Sequence, residues 1–145
     1  MTGLPEAADR RKALAEIARI AGRATRFETP CGDGRVVWHV WGEGRPVMLL
    51  HGGSGSWTHW IRNVEALADA GFRVIVPDLP GSGDSDPPPD GQDADVIPRW
   101  LERGLSQLVP ADTPFDVVGF SFGTIVAALF CRDWPARVRR LILTG

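Results

Sequence analysis

The sequence predicts an α/β protein built on a doubly wound, mostly parallel sheet, and three observations carry that prediction. A continuous apolar run at 46–50 reads as a strand covered on both faces, and the largely apolar stretches at 72–77 and 115–118, interrupted by Arg73 and Asp116, read as further strands. Segments with apolar residues at helical spacing follow them, at 57–70, 94–109 and 124–133. Strand and helix therefore alternate, the order that builds parallel strands joined by right-handed crossovers. The 145 residues make one domain at most, with 1–23 as a helical lead-in and 24–145 as the α/β unit.

The lead-in puts Leu14, Ile17, Ala18 and Ala21 at helical spacing over 5–22, with Arg10, Arg11, Lys12 and Arg19 on other faces and Gly22 as a stop. Glu6, Asp9 and Glu16 set it apart from an organelle transit peptide, which is poor in acidic residues. Residues 24–29 and 35–41 are short extended segments, and the Gly and Asp residues between them suit a hairpin turn. Trp38 and Val40 share one face of the second segment and Val37, His39 and Trp41 the other, with His39 expected half exposed. A turn at 42–45 leads into the strand at 46–50 and a Gly-rich loop after it. A helix is expected over 57–70, because Trp60, Val64 and Leu67 fall on one face and Gly71 ends it.

After the strand at 72–77, residues 84–95 are dense in Pro and Asp and read as a polar surface loop. The helix at 94–109 carries the stripe Ile97, Trp100, Leu101, Leu105 and Leu108, with Pro98 tolerated in its first turn and Pro110 as a stop. The helix at 124–133 is nearly all apolar, as a buried crossover should be, and 139–145 begin one more strand.

Sixteen basic and eighteen acidic residues leave no electrostatic footprint for nucleic acid or an anionic membrane. No run approaches the roughly 18 apolar residues of a membrane helix. The basic N-terminus is not followed by an apolar stretch and cleavage site, so a cytoplasmic location is expected. Cys31 and Cys131 carry no C-x-x-C spacing and read as free thiols, one at a turn and one on a helix.

The chemistry points to Gly119-Phe120-Ser121-Phe122-Gly123, between the strand at 115–118 and the helix at 124–133. A turn this sharp brings strand and helix backbones so close that a Cβ at Gly119 or Gly123 would clash. It also strains the serine and holds its Oγ out of the sheet, at a helix N-terminus that favours a developing negative charge. A plain βα turn without chemistry is the other reading of these five residues. Gly53-Ser54-Gly55-Ser56-Trp57-Thr58 invites comparison with a nucleotide loop, but it lacks the last Gly of the dinucleotide pattern, and no Gly-Lys-Ser/Thr is present.

With its strand before and helix after, the G-x-S-x-G turn resembles the nucleophile elbow of the α/β-hydrolase superfamily. The resemblance covers 24–145 and implies Ser121 as nucleophile. It makes His51-Gly52-Gly53 the start of the oxyanion loop, with the backbone N–H groups of Gly53 and Phe122 as donors. His51 is then a buried, hydrogen-bonded shaping residue. Trp57, Trp60 and Phe120 are candidates for the substrate pocket, and filling core is the alternative for the two tryptophans. Asp78-Leu79-Pro80-Gly81-Ser82-Gly83-Asp84-Ser85 is similar to the family's D-x-x-G-x-G-x-S segment, which makes Asp78 structural and not the triad acid.

The family's chain order is nucleophile, acid, histidine. All three histidines here, His39, His51 and His59, precede Ser121. The expectation is therefore an α/β-hydrolase fold truncated after the strand that follows the nucleophile helix, with the acid and histidine beyond Gly145. The 145 residues by themselves are expected to turn over esters poorly. The last strand, with Leu141, Ile142 and Leu143, is expected to be an exposed edge open to self-association. The implied activity is a serine hydrolase acting on an ester or related carbonyl in a small-molecule substrate. A carbon–carbon bond hydrolase, a cofactor-free haloperoxidase-like enzyme and a non-catalytic fold remnant that binds a ligand or protein are the alternatives. Serine at the elbow argues against dehalogenase and epoxide hydrolase relatives, which use Asp there. The resemblance implies no metal and no organic cofactor.

Overall fold

Six strands form a single sheet in a computed structural model that describes residues 6–145. In chain order they are β1 (Thr25–Cys31), β2 (Gly34–Trp41), β3 (Arg45–Leu50), β4 (Phe72–Pro77), β5 (Phe115–Phe120) and β6 (Val138–Thr144). Side by side they run β1-β2-β4-β3-β5-β6. β3 is parallel to β4 and β5, and β5 is parallel to β6. The hairpin β1–β2 is antiparallel within itself and joins β4 antiparallel. The mostly parallel α/β sheet expected from the sequence is present.

Alternation along the strands divides the core into two layers. Met48 and Leu50 of β3 and Ile75 of β4 pack on one face with Trp38, Leu101, Phe115 and Phe130. Val47, Leu49, Val74 and Val76 pack on the other with Trp41, Val64 and Ile20. Both faces of the central strands are buried, which is why 46–50 of β3 and 74–77 of β4 are continuous apolar runs.

Helix α1 (Ala7–Gly22) lies where expected, although Pro5 is outside the described residues. Its buried residue is Ile20, flanked by Ile17 and Ala21, whereas Leu14 is 58% exposed and Ala18 is exposed. The helix packs on the body through its last turns. There Trp41 Nε1–H donates to the Ile20 carbonyl at 2.9 Å, and Arg19 and Arg23 pair with Glu65.

The single helix expected over 57–70 is two pieces, a 3-10 turn at Trp57–Trp60 and α2 (Val64–Asp69). A 3-10 turn sets residues three apart on one side, so Trp57 and Trp60 enter the same core layer. Helix α3 (Ile97–Leu105) keeps Pro98 in its first turn but ends before Val109. Tight turns replace its last part, with Gln107 N–H on the Gly104 carbonyl and Leu108 N–H on the Leu105 carbonyl. His39, expected half exposed, is only 7% exposed, because β2 is covered on both faces. Helix α4 (Phe122–Asp133) buries Val126, Ala127 and Phe130 but leaves Ile125 52% exposed, so its apolar surface is covered on one side only.

Candidate active site

Two loops meet at the carboxyl ends of the central strands, where Leu50 of β3 pairs in register with Gly119 of β5. One is the turn from β5 into α4 and the other is the Gly-rich loop after β3. Ligands of parallel α/β sheets bind at this end of the strands.

Ser121 caps α4 with φ 52° and ψ −119°, a left-handed conformation that non-Gly residues adopt only under constraint. The constraint comes from backbone on both sides. A Cβ at Gly119 would lie 2.5 Å from the Gly123 carbonyl oxygen, and one at Gly123 would lie 2.2 Å from the Leu50 carbonyl oxygen. The turn therefore needs glycine at both positions, as the sequence implies. The Ser121 N–H donates to the Thr144 carbonyl at 3.0 Å, which fastens the elbow to the end of β6. Thr124 Oγ1–H donates to the Ser121 carbonyl at 2.6 Å. The serine side chain makes no capping bond, and the residue is exposed. Phe122, first residue of a twelve-residue helix, carries one of the N–H groups that the helix itself leaves unpaired. Its position adds the positive end of the helix dipole beside Ser121.

The loop after β3 comes up against this turn. A Cβ at Gly52 would sit 3.3 Å from Ser121 Cβ, and one at Gly53 would sit 3.7 Å from Phe122 Cβ. The loop thus lies against the turn, with Gly52 next to Ser121 and Gly53 next to Phe122.

His51 is fully buried and both ring nitrogens are bonded. Its Nε2 accepts the Leu79 N–H at 2.9 Å, so the proton resides on Nδ1, which donates to the Gly52 carbonyl at 2.7 Å. Burial lowers its pKa below the ordinary histidine value, holding the ring neutral. Asp78 is likewise a structural hub. One carboxylate oxygen accepts the Trp57 N–H at 2.8 Å, the other the Asp84 N–H at 3.0 Å.

The aromatic candidates separate. Trp57 lies in the core, with His39 and Trp41 at ring distances of 5.3 and 5.2 Å. Phe120 precedes the nucleophile, is 38% exposed, and meets His59 and Trp60 edge-on at 5.8 and 6.3 Å. A cleft of about 240 Å³ opens beside Gly53 and Phe122, walled by Ser54, Pro80, Gln92 and Ile97. Gln92 and Ile97 come from the polar loop and from α3, and neither was marked as a site residue by its local sequence. His59 was also unmarked, yet its Nδ1 accepts the Gly52 N–H at 3.1 Å. Among the described residues no cluster of His, Cys, Asp and Glu side chains has the makings of a metal site.

A family profile described as alpha/beta hydrolase fold matches residues 45–145. A 2-hydroxy-6-oxononadienedioate/2-hydroxy-6-oxononatrienedioate hydrolase of Pseudomonas putida is 39% identical over 109 residues, 72% of this chain and 38% of that protein. A 2-hydroxy-6-oxo-6-phenylhexa-2,4-dienoate hydrolase of Comamonas testosteroni is 31% identical over 131 residues, 86% of this chain and 46% of that protein. The chain therefore spans less than half the length of these curated relatives. Among solved structures, Cfl2 of Burkholderia cenocepacia superposes with a TM-score of 0.74 at 33% identity, over 83% of this chain and 41% of that one. The epoxide hydrolase VrEH1 of Vigna radiata gives a TM-score of 0.77 at 22% identity, over 86% of this chain and 41% of that one, a likeness of fold alone.

Proposed function

The chain belongs to the α/β-hydrolase fold family, and from that premise we propose that it carries the nucleophile and oxyanion hole of a serine hydrolase that attacks a ketone or ester carbonyl. The observation that carries the reading is the strained, exposed Ser121 at the N-terminus of α4, with Gly53 and Phe122 beside it. Addition of the serine oxygen to a carbonyl carbon moves a pair of electrons onto the carbonyl oxygen. Two backbone N–H groups meet that charge without having to reorganise, each lowering the barrier by roughly 3 kcal/mol.

Of the substrate classes, carbon–carbon cleavage of a 2-hydroxy-6-oxo-dienoate is favoured over simple ester hydrolysis, because relatives at 39% and 31% identity are named for that reaction. The base and acid of the triad are proposed to lie outside these 145 residues. His51 has both nitrogens engaged, His59 has Nδ1 engaged, and His39 is buried against Trp41 and Trp57. Two free thiols, Cys31 and Cys131, suit a reducing compartment such as the cytoplasm.

The test is intact mass of the native protein with and without a fluorophosphonate, followed by turnover of 2-hydroxy-6-oxo-6-phenylhexa-2,4-dienoate. A mass well above 15.8 kDa, one adduct on Ser121, and loss of about a million-fold in turnover on Ser121→Ala are the expected results. Absence of any adduct in a protein of that larger mass sinks the serine mechanism. A labelled enzyme that cleaves activated esters and leaves the dienoate untouched moves the substrate class to esters.

A further inference from the structure

We propose that His59 is a positioning residue that holds the oxyanion loop in its working shape through the Gly52 N–H; the inference rests on the reading of Gly53 as an oxyanion donor. The loop carries glycines at 52, 53 and 55, so its backbone has little intrinsic preference. Something outside the backbone must fix it. The Gly53 N–H belongs to the planar peptide whose oxygen is the Gly52 carbonyl, and in a trans peptide the two point in opposite directions. His51 Nδ1–H holds that oxygen at 2.7 Å. This sets one of the two peptide planes that meet at Gly52. The other plane carries the Gly52 N–H, and His59 Nδ1 accepts it at 3.1 Å. With both planes tethered by imidazoles, neither can turn without breaking a hydrogen bond.

The ring of His59 is itself seated. It meets His51 and Phe120 edge-on, each at 5.8 Å. Gly55 lies over it so closely that an added Cβ would stand 2.2 Å from Cε1 and 2.5 Å from Nε2. Gly55 is thereby explained as the residue that leaves room for the ring. Because a backbone N–H only donates, Nδ1 must be the unprotonated nitrogen, and the ring proton sits on Nε2. His59 thus acts through the loop and is not the base for Ser121.

The first experiment is nitrogen-15 NMR of the histidine rings. A coupling across the hydrogen bond between the Gly52 amide nitrogen and His59 Nδ1, with the proton on Nε2, is expected. A proton on Nδ1 overturns the assignment. The second compares two variants. His59→Asn puts an amide oxygen near the place of Nδ1, and His59→Gln puts one near Nε2. His59→Asn should restore the Gly53 amide resonance and most of the turnover. His59→Gln should shift that resonance and lower kcat about tenfold or more, with KM changed less. Identical Gly53 resonances in all forms overturn the proposal.

Gly55→Ala offers a third check, since it displaces the ring without touching His59. It should shift Gly53 as His59→Gln does and add nothing in a His59→Gln background; additive shifts argue against the proposal. A failure of the functional reading looks different. Coupling and resonance shifts would then persist in a protein with no turnover, whereas failure of the His59 assignment removes the coupling whatever the turnover.

Discussion

Ser121 sits at a conformation that glycine adopts freely and serine does not, a penalty of about 1–3 kcal/mol. Ser121→Gly should therefore unfold at higher denaturant concentration than the parent, while losing all fluorophosphonate labelling. An unchanged or lower midpoint would show that the turn is not strained at this residue. His39 and His51 bear on pH. Burial lowers the pKa of both, so the fold holds them neutral while the unfolded chain takes up protons first. Their contribution is then complete above about pH 6.5 and is lost as pH falls from there through the lowered native values. Denaturation midpoints should fall between pH 7.5 and 5.5, and His39→Phe should flatten that dependence. The sharp turn at Ser121 was legible in the sequence, because five local residues specify it. His59 was not, since its partner Gly52 is reached through an irregular loop and no spacing rule joins the two.

At the scale of elements, glycines at contacts between backbones decide what the turn tolerates. Gly119→Ala and Gly123→Ala drive a methyl group into carbonyl oxygens that cannot swing away, so each should destabilise the fold by about 3 kcal/mol or lose it altogether. Gly22→Ala is the control. It lies at the end of α1 with nothing within 4 Å of the added carbon, and it should be neutral or slightly stabilising. Urea titrations of the three variants check this ordering. The central strands were readable because burial on both faces leaves them largely apolar, β3 over 46–50 most of all. Helix limits were less so. At 57–70 the pattern of Trp60, Val64 and Leu67 fits an α-helix, yet the Trp57 N–H bonds Asp78 and both tryptophans turn into one layer. Those demands come from residues some twenty positions away and are invisible to a local period. The end of α3 follows the same logic: Gly104 is pressed against Thr29 and Trp38, with an added Cβ only 2.4 Å from Thr29 Oγ1.

For the molecule as a whole, the asymmetry of the sheet matters most. β3, β4 and β5 are covered on both faces, while β6 exposes Ile142 and Leu143 by 51% and 53% and pairs with β5 alone. An unpaired apolar edge seeks a strand. The 145-residue chain by itself should self-associate with rising concentration, and Ile142→Lys should shift its sedimentation toward the monomer. A parent that stays monomeric at high concentration refutes this. The same edge also carries the Thr144 carbonyl that receives the Ser121 N–H. The position of Ser121 is thus tied to β6 as well as to β5. For evolution under selection for folding alone, this arrangement inverts the usual expectation of conservation. Positions 119 and 123, which carry no chemistry, would stay fixed, while position 121 would drift toward glycine. A population that has abandoned catalysis should therefore be recognisable by a vacant socket in an otherwise intact elbow.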